Sequence, residues 1–129
     1  MLFDTHAHYD SGAFNQDRLE VLAGLPQQGV ELIVTVDCGI TANQEAQLCK
    51  ELGIDLVITD HHECKSELPQ AAALVDPHRK DQPQPVTEMA GVGVAFKLAA
   101  AIEGDQEKLL DQYCDFLCLG TVADVMPLT

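Results

Sequence analysis

The stretch VITDHHE, residues 57–63, runs from a strand-forming segment directly into an acidic residue and two adjacent histidines. Its first three residues are β-branched and favour a strand. The aspartate and the histidines are side chains that ligate metal ions or move protons. A strand that ends in such groups indicates a site at the carboxyl edge of a sheet, so this stretch bears on both fold and function.

Strand-type and helix-type segments alternate on both sides of this stretch. The segments that predict strands are 1–5, 32–36, 54–59 and 72–75. The segments that predict helices are 16–25, 41–52, 92–103 and 106–119, the first two capped by Asn15 and Thr41. The alternation predicts an α/β fold, a three-layer sandwich with a mainly parallel sheet. The length of 129 residues predicts a single domain, residues 1–129.

Metal-ligating side chains follow three of the predicted strands. The strand ends read FDTHAH (3–8), VDCG (36–39) and TDHH (59–62). Because right-handed crossovers place the carboxyl ends of parallel strands along one edge, these groups should meet there. Aspartate with histidine suits Mn²⁺, Mg²⁺, Fe²⁺ or Zn²⁺. Each aspartate could instead cap a turn, but three such strand ends together favour a metal site.

The spacing within these strand ends predicts which side chains share a face. Asp4, His6 and His8 are two apart, so an extended chain would present all three on one side. His61 and His62 are adjacent, so an extended chain would point them apart. One of the pair would then ligate a metal while the other contacts a substrate.

Charge and cysteine content restrict the classes of partner. The net charge of −14 argues against strong unaided binding to nucleic acid and fits a site that collects cations. No apolar run is long enough to span a membrane, and the start lacks a secretory pattern, so we expect a cytoplasmic protein without a membrane partner. The oligomeric state stays open. We expect the cysteines to be small buried residues, with a zinc clip or disulfide set as the alternative; they are Cys38, Cys49, Cys64, Cys114 and Cys118.

Four motifs in order resemble the catalytic domain of RecJ-type single-strand-specific DNA exonucleases, in the DHH phosphoesterase superfamily. They are VDCGIT (36–41), LVITDHHE (56–63), AGVGVAFKL (90–98) and LGTVADVMPLT (119–129). The resemblance covers residues 32–129 and implies a two-metal phosphodiesterase, usually dependent on Mn²⁺ or Mg²⁺, that hydrolyses single-stranded DNA from the 5′ end.

The same resemblance implies a role for each motif residue. It makes Asp37 the carboxylate that bridges two metals, and His61 and Asp124 further metal ligands. It makes His62 the residue that faces the substrate phosphate, and Asp60 the acid that orients its neighbours.

The amino-terminal segment departs from that family, whose members open with an Asp-x-Asp-x-Asp-Gly pattern. Residues 1–31 instead resemble the start of TatD-type metal-dependent deoxyribonucleases, through MLFDTHAHYD (1–10), AFNQDRLEVL (13–22) and GVELIV (29–34). In that family His6 and His8 would ligate metal in a TIM barrel, which 129 residues cannot form. We therefore expect a chimera-like, truncated chain joined near residues 30–34 and lacking a second domain. Asp4, His6 or His8 would hold the second metal together with Asp37.

Two further readings stay open beside the exonuclease core. A folded chimera or fragment would bind metal but show little or no turnover. A phosphodiesterase for short oligonucleotides or cyclic dinucleotides would keep the chemistry and change the substrate.

Overall fold

The computed structural model describes residues 2–4, 11–81 and 87–127 of the chain. Its strands are β1 (Leu2–Asp4), β2 (Val30–Val36), β3 (Asp55–Thr59) and β4 (Ala73–Val75). Its α-helices are α1 (Arg18–Gly24), α2 (Asn43–Leu52), α3 (Gly91–Glu103) and α4 (Gln106–Ala123). Two short 3₁₀ turns, Gly12–Phe14 and Pro26–Gln28, flank α1.

The four strands form one parallel sheet in the order β1-β2-β3-β4. The α/β fold with a parallel sheet is thereby confirmed, and β1 lies in the same parallel sheet as β2 and β3, as the strand-end pattern predicted. The register aligns the carboxyl ends, since Val36 pairs with Thr59 and Thr59 pairs with Val75. The ladder continues one residue further, where the N–H of Asp37 donates to Thr59 O and the N–H of Asp60 donates to Val75 O.

The starts of the first two helices differ from the predicted ones. Helix α1 begins at Arg18 with Asp17 as N-cap, because the preceding residues form a 3₁₀ turn in which Ser11 Oγ accepts the N–H of Ala13. Helix α2 begins after Ala42 and not at Thr41, because a turn closes first, with the N–H of Ala42 donating to Gly39 O. The predicted caps Asn15 and Thr41 are therefore wrong.

The buried core lies between the first two helices and the two central strands. Its residues are Leu22, Leu25, Val30, Ile33, Ala46, Cys49, Ile54, Leu56 and Ile58. Helix α3 packs against α4 and contacts β3. Within α1 the buried residue is Leu22, whereas Leu19 is 69% exposed.

The cysteines only partly follow the expectation of burial. All five are free thiols, and Cys49 is buried in the core. Cys114 and Cys118 are exposed, because Leu109 is the residue that α4 buries and the rest of that helix faces outward or is half-buried. Within the described ranges, no helix combines the length and the apolar character that crossing a bilayer requires.

Candidate metal centre

Three side chains from the ends of β2 and β3 meet at the carboxyl edge of the sheet. Asp37, His61 and His62 each offer one ligand atom, and these atoms lie within 4.8 Å of one another. Nε2 of His61 lies 3.0 Å from Asp37 Oδ1 and 3.4 Å from Asp124 Oδ2. The imidazole of His61 is nearly covered, whereas the two carboxylates keep 59% and 42% of their side-chain surface exposed. The centre is therefore open to an ion from solvent.

Asp37 reaches this position through an unusual backbone conformation. Its φ is +65°, in the left-handed region that aspartate tolerates better than most residues. Its N–H is held 2.9 Å from Thr59 O, so the turn begins from the sheet itself. The carboxylate then lies against Gly91, the first residue of α3, where a Cβ atom would come within 2.2 Å of Asp37 Oδ1. The dipole at a helix N-terminus favours a negative charge at such a place.

Asp60 is buried beneath the centre and organises the loop that follows β3. It is 1% exposed; its Oδ2 accepts the N–H of Ile40 at 2.8 Å, and its Oδ1 accepts the N–H groups of His61 and His62 at 2.8 and 3.3 Å. Burial acts to raise the pKa of Asp60, but these hydrogen bonds and the ring of His62 outweigh it and hold the pKa below its usual value. Asp60 thus stays an acceptor that orients its neighbours.

The rings of His61 and His62 lie side by side, so the prediction that they point apart is wrong. Their centroids are 4.5 Å apart with a tilt of 51°. The chain leaves the extended conformation at this point because one carboxylate, that of Asp60, accepts both of their backbone N–H groups. That turn carries both imidazoles to the same edge.

His62 is held by one ring nitrogen and open at the rest of its surface. Its Nδ1 lies 2.6 Å from Asp60 Oδ1, and its side chain is 61% exposed. The hydrogen bond to Asp60 raises the pKa of His62 above its usual value. The charged imidazolium form is thereby favoured, which suits contact with an anionic group.

Asp124 arrives from the carboxyl end of α4. It is the C-cap residue of that helix, and its N–H donates to Gly120 O. The next residue, Val125, has a φ of +55°, and the N–H of Met126 closes the turn on Thr121 O. This closure is a Schellman-type end, and it leaves Asp124 beside His61.

The structure brings together Asp37, His61, His62 and Asp124 above Asp60, all of which the sequence singled out. The remaining predicted ligands are on or after β1. The backbone of Asp4 ends that strand, whose neighbour is β2. His6 and His8 lie outside the described residues, so their role as ligands stays a prediction.

Two residues of this edge escaped the sequence reasoning. Asp76 follows β4, is 4% exposed, and its Oδ1 accepts the N–H of His78 at 2.7 Å. The signal was present in the sequence, since Asp76 directly follows the fourth predicted strand. No local sequence pattern indicated a role for Gly91, because it packs against Asp37, which is distant from it in the chain.

The donor set fits a divalent cation. Ligand atoms bonded at about 2.1 Å to one ion are separated by about 3.0 Å when the bonds are perpendicular and about 3.4 Å when they are tetrahedral. The distances from His61 Nε2 to Asp37 Oδ1 and Asp124 Oδ2 are 3.0 and 3.4 Å. Two carboxylates with one imidazole are typical of Mn²⁺, Mg²⁺ or Zn²⁺ sites.

Comparison with known proteins agrees with this chemistry. The family model described as the N-terminal domain of the DHH family matches residues 4–121. The single-stranded-DNA-specific exonuclease RecJ of Bacillus subtilis is 47% identical over 109 residues, which cover 84% of this chain and 14% of that protein. The RecJ of Escherichia coli is 38% identical over 121 residues, 84% of this chain and 21% of that protein. The chain therefore spans about a fifth or less of these relatives.

Two solved structures share the fold. A crystal structure of exonuclease RecJ bound to manganese matches with a TM-score of 0.64 and 34% identity, over 81% of this chain and 27% of that one. RecJ from Thermus thermophilus in complex with Mn²⁺ matches with a TM-score of 0.64 and 33% identity, over 83% of this chain and 16% of that one. The resemblance of residues 1–31 to TatD-type enzymes stays a prediction.

Proposed function

The chain belongs to the DHH family and is similar to its RecJ-type exonucleases, and from this premise we propose that it is the metal-dependent core of a phosphodiesterase for single-stranded DNA. The observation that carries the proposal is the convergence of Asp37, His61 and Asp124 at one edge, with ligand-like separations. The relatives at 47% and 38% identity are named as exonucleases specific for single-stranded DNA.

In the proposed mechanism, Asp37, His61 and Asp124 would hold one divalent cation. When bound, such an ion polarises a phosphoryl oxygen and activates water for in-line attack. The exposed imidazolium of His62 contacts a non-bridging oxygen of the phosphate and offsets the charge that develops there. Asp60 holds the ring of His62 in place through Nδ1. The ring is therefore already oriented before the substrate reacts.

A second ion would share Asp37 as a bridging ligand. Asp4 at the end of β1, together with His6 and His8 further along the sequence, would complete its ligands, a proposal supported by the pairing of β1 with β2. We propose Mn²⁺ or Mg²⁺ for both positions, supported by the Mn²⁺ in the two solved relatives. We further propose that residues 1–129 act as one domain and that the substrate is cytoplasmic DNA cleaved from its 5′ end.

A fragment with metal affinity and little turnover is the second candidate. The observation that favours it is the exposure of α4, where Phe116 and Leu119 are 65% and 68% exposed although both are large and apolar. The chain also carries seven Lys and Arg against 21 Asp and Glu, so few substrate phosphates can be neutralised. Short diesters, which need little strand binding, should then be better substrates than long DNA.

The test is manganese-dependent hydrolysis of a 5′-labelled single strand beside a model phosphodiester, with Asp124→Ala as the control. The proposal expects hydrolysis of the diester that disappears in the control, and slower cleavage of the long strand that weakens as salt is raised. Manganese binding without hydrolysis of either substrate would favour the inactive fragment. Activity that survives in Asp124→Ala would refute the proposed centre.

A further inference from the structure

The end of β4 repeats the arrangement found at the end of β3. Asp60 and His62 are two residues apart after β3, and Asp76 and His78 are two residues apart after β4. Each aspartate is buried, at 1% and 4% exposure, and each Oδ1 accepts the backbone N–H of its histidine, at 3.3 and 2.7 Å. The two pairs lie at the same height along the neighbouring strands β3 and β4, because the N–H of Asp60 donates to Val75 O.

The ring of each histidine turns Nδ1 toward its aspartate. His62 Nδ1 lies 2.6 Å from Asp60 Oδ1, and His78 Nδ1 lies 3.6 Å from Asp76 Oδ1. In the second pair, His78 Nδ1 and Asp76 Oδ2 are buried and have no hydrogen-bond partner. A movement of less than about 1 Å would join the ring to the carboxylate as a hydrogen bond. The thiol of Cys64 is a further hydrogen-bond partner of the Asp76 carboxyl group, so His78 Nδ1 is the buried group of this pair that is left to bond to it.

The outer nitrogen of His78 faces the loop that carries His62. His78 Nε2 lies 3.9 Å from Oε1 of Glu63, the residue directly after His62. That distance is too long for a hydrogen bond, and Glu63 is 89% exposed at its side chain, so the contact contributes little. The ring itself keeps 18% of its side-chain surface exposed. The partly exposed ring thus turns Nε2 toward the loop after β3, where a ligand would lie beside the exposed side chain of Glu63.

We propose that His78, positioned by Asp76, is a second phosphate-contacting residue, which binds the phosphate adjacent to the scissile one in a single-stranded DNA substrate. The proposal rests on the proposed function, which places the scissile phosphate at His62. Neighbouring strands are about 4.8 Å apart, so the second imidazole stands one strand further along the edge. A phosphate at Nε2 requires a proton on that nitrogen, and the Asp76 carboxylate can accept the other ring proton from Nδ1.

The alternative is that Asp76 and His78 serve only to form the turn after β4. The turn at Asp76 uses Oδ1 and the backbone N–H of His78, which any residue other than proline would supply at position 78. That turn leaves the buried Nδ1 of His78 without a hydrogen-bond partner, which is unfavourable for a buried polar group. His78→Ala separates the two readings, since it removes the ring and keeps the turn.

The experiment compares a thymidine dinucleotide, which has one phosphodiester, with a thymidine hexanucleotide in the presence of Mn²⁺. We expect His78→Ala to raise KM about tenfold for the hexanucleotide, as the loss of one charge-assisted contact implies, while kcat and the dinucleotide KM stay unchanged. Lys50→Ala is the control, because it removes a positive charge from α2, where Lys50 bonds to Gln70. Equal effects on both substrates, or none on the hexanucleotide, would overturn the role of His78.

A second readout keeps this test independent of turnover. The ring resonances of His78 are followed by NMR as either oligonucleotide is added with Ca²⁺ in place of Mn²⁺. A shift with the hexanucleotide alone supports the contact, and no shift with either overturns it. If the chain hydrolyses neither oligonucleotide, the proposed function fails, and the NMR result still decides whether His78 binds phosphate.

Discussion

The carboxylate of Asp37 occupies the space that a side chain at position 91 would need. A Cβ atom built on Gly91 would lie 2.2 Å from Asp37 Oδ1 and 2.5 Å from its Cγ. Since the same Oδ1 stands 3.0 Å from His61 Nε2, the start of α3 sets the shape of the metal centre from the opposite side. The AGVGVAFKL motif thus carries a packing requirement although it offers no ligand.

Gly91→Ala is expected to push the Asp37 carboxylate away from His61. Overpacking of this kind costs about 1–3 kcal/mol of stability, and we expect the affinity for Mn²⁺ to fall by about tenfold or more. Isothermal titration with Mn²⁺ measures the affinity, and denaturant unfolding measures the stability.

The matched control is Gly93→Ala, two residues further along the same helix. Its new Cβ atom would meet Met89 Cγ at 2.6 Å, and Met89 is a flexible side chain that can move. We expect this variant to keep the Mn²⁺ affinity of the parent chain. An equal loss of affinity in both variants would show that α3 as a whole, and not the contact with Asp37, supports the centre.

Asp37→Asn and His62→Ala should separate metal binding from substrate contact. Asparagine tolerates the left-handed φ of +65° and keeps the size of the side chain, so the substitution removes mainly the charge. We expect it to lower Mn²⁺ affinity by more than about tenfold, whereas His62→Ala leaves the affinity largely intact and abolishes hydrolysis. Comparable losses of Mn²⁺ affinity in the two variants would make His62 a ligand, and titration calorimetry decides between the outcomes.

The sequence predicted the sheet and placed Asp37 and Asp60 at its carboxyl edge because both depend on short-range patterns, whereas Asp124 was singled out only through the family resemblance. The strand that ends at Thr59 and the acid that follows it are visible in a few letters, and the parallel arrangement follows from alternation. The side-by-side rings of His61 and His62 could not be predicted, because the turn depends on how Asp60 distributes its hydrogen bonds. The contact of Gly91 with Asp37 joins residues far apart in the chain, so no local pattern reveals it.

Asp60 should make stability depend on acid pH in a defined direction. Burial opposes its charge, but hydrogen bonds hold its folded pKa below the unfolded value of about 3.9. The carboxylate therefore stabilises the fold above about pH 4, and this contribution is lost as the pH falls through the depressed folded value. We expect Asp60→Asn to lower the free energy of unfolding by about 1–3 kcal/mol at neutral pH and by less near pH 3, measured by urea unfolding.

Asp76→Asn, at the end of the neighbouring strand β4, should show the opposite dependence of stability on pH. Burial is the main cause that raises the pKa of Asp76, so this group stays protonated to a higher pH in the folded chain than in the unfolded chain. The contribution of Asp76 to the free energy of unfolding is fully present below the unfolded pKa. It is lost as the pH rises through the raised folded pKa. The destabilisation caused by Asp76→Asn should therefore be larger near pH 3 than at neutral pH. The same pH trend in both variants would contradict the assignment of the two carboxyl groups.

Val125 ends α4 in a conformation that suits glycine. Its φ is +55°, its N–H donates to Val122 O, and the N–H of Met126 closes on Thr121 O, so it stands at the position of a Schellman-type end where glycine is usual. A left-handed conformation costs a residue with a side chain roughly 1–2 kcal/mol. The side chain of Val125 is 85% exposed, so little packing would be lost on its removal.

Val125→Gly is accordingly expected to raise the free energy of unfolding by about 1 kcal/mol. Val122→Gly is the matched control: Val122 is 62% exposed but lies inside α4, where glycine lowers stability by about 0.5 kcal/mol relative to valine or other ordinary residues. Because Asp124 lies between these two positions, the pair also tests whether the helix end holds this proposed ligand in place. If it does, Val125→Gly keeps the Mn²⁺ affinity, whereas Val122→Gly lowers it by loosening the last turn. Destabilisation by Val125→Gly in urea unfolding would show that the side chain supports the helix end despite its exposure.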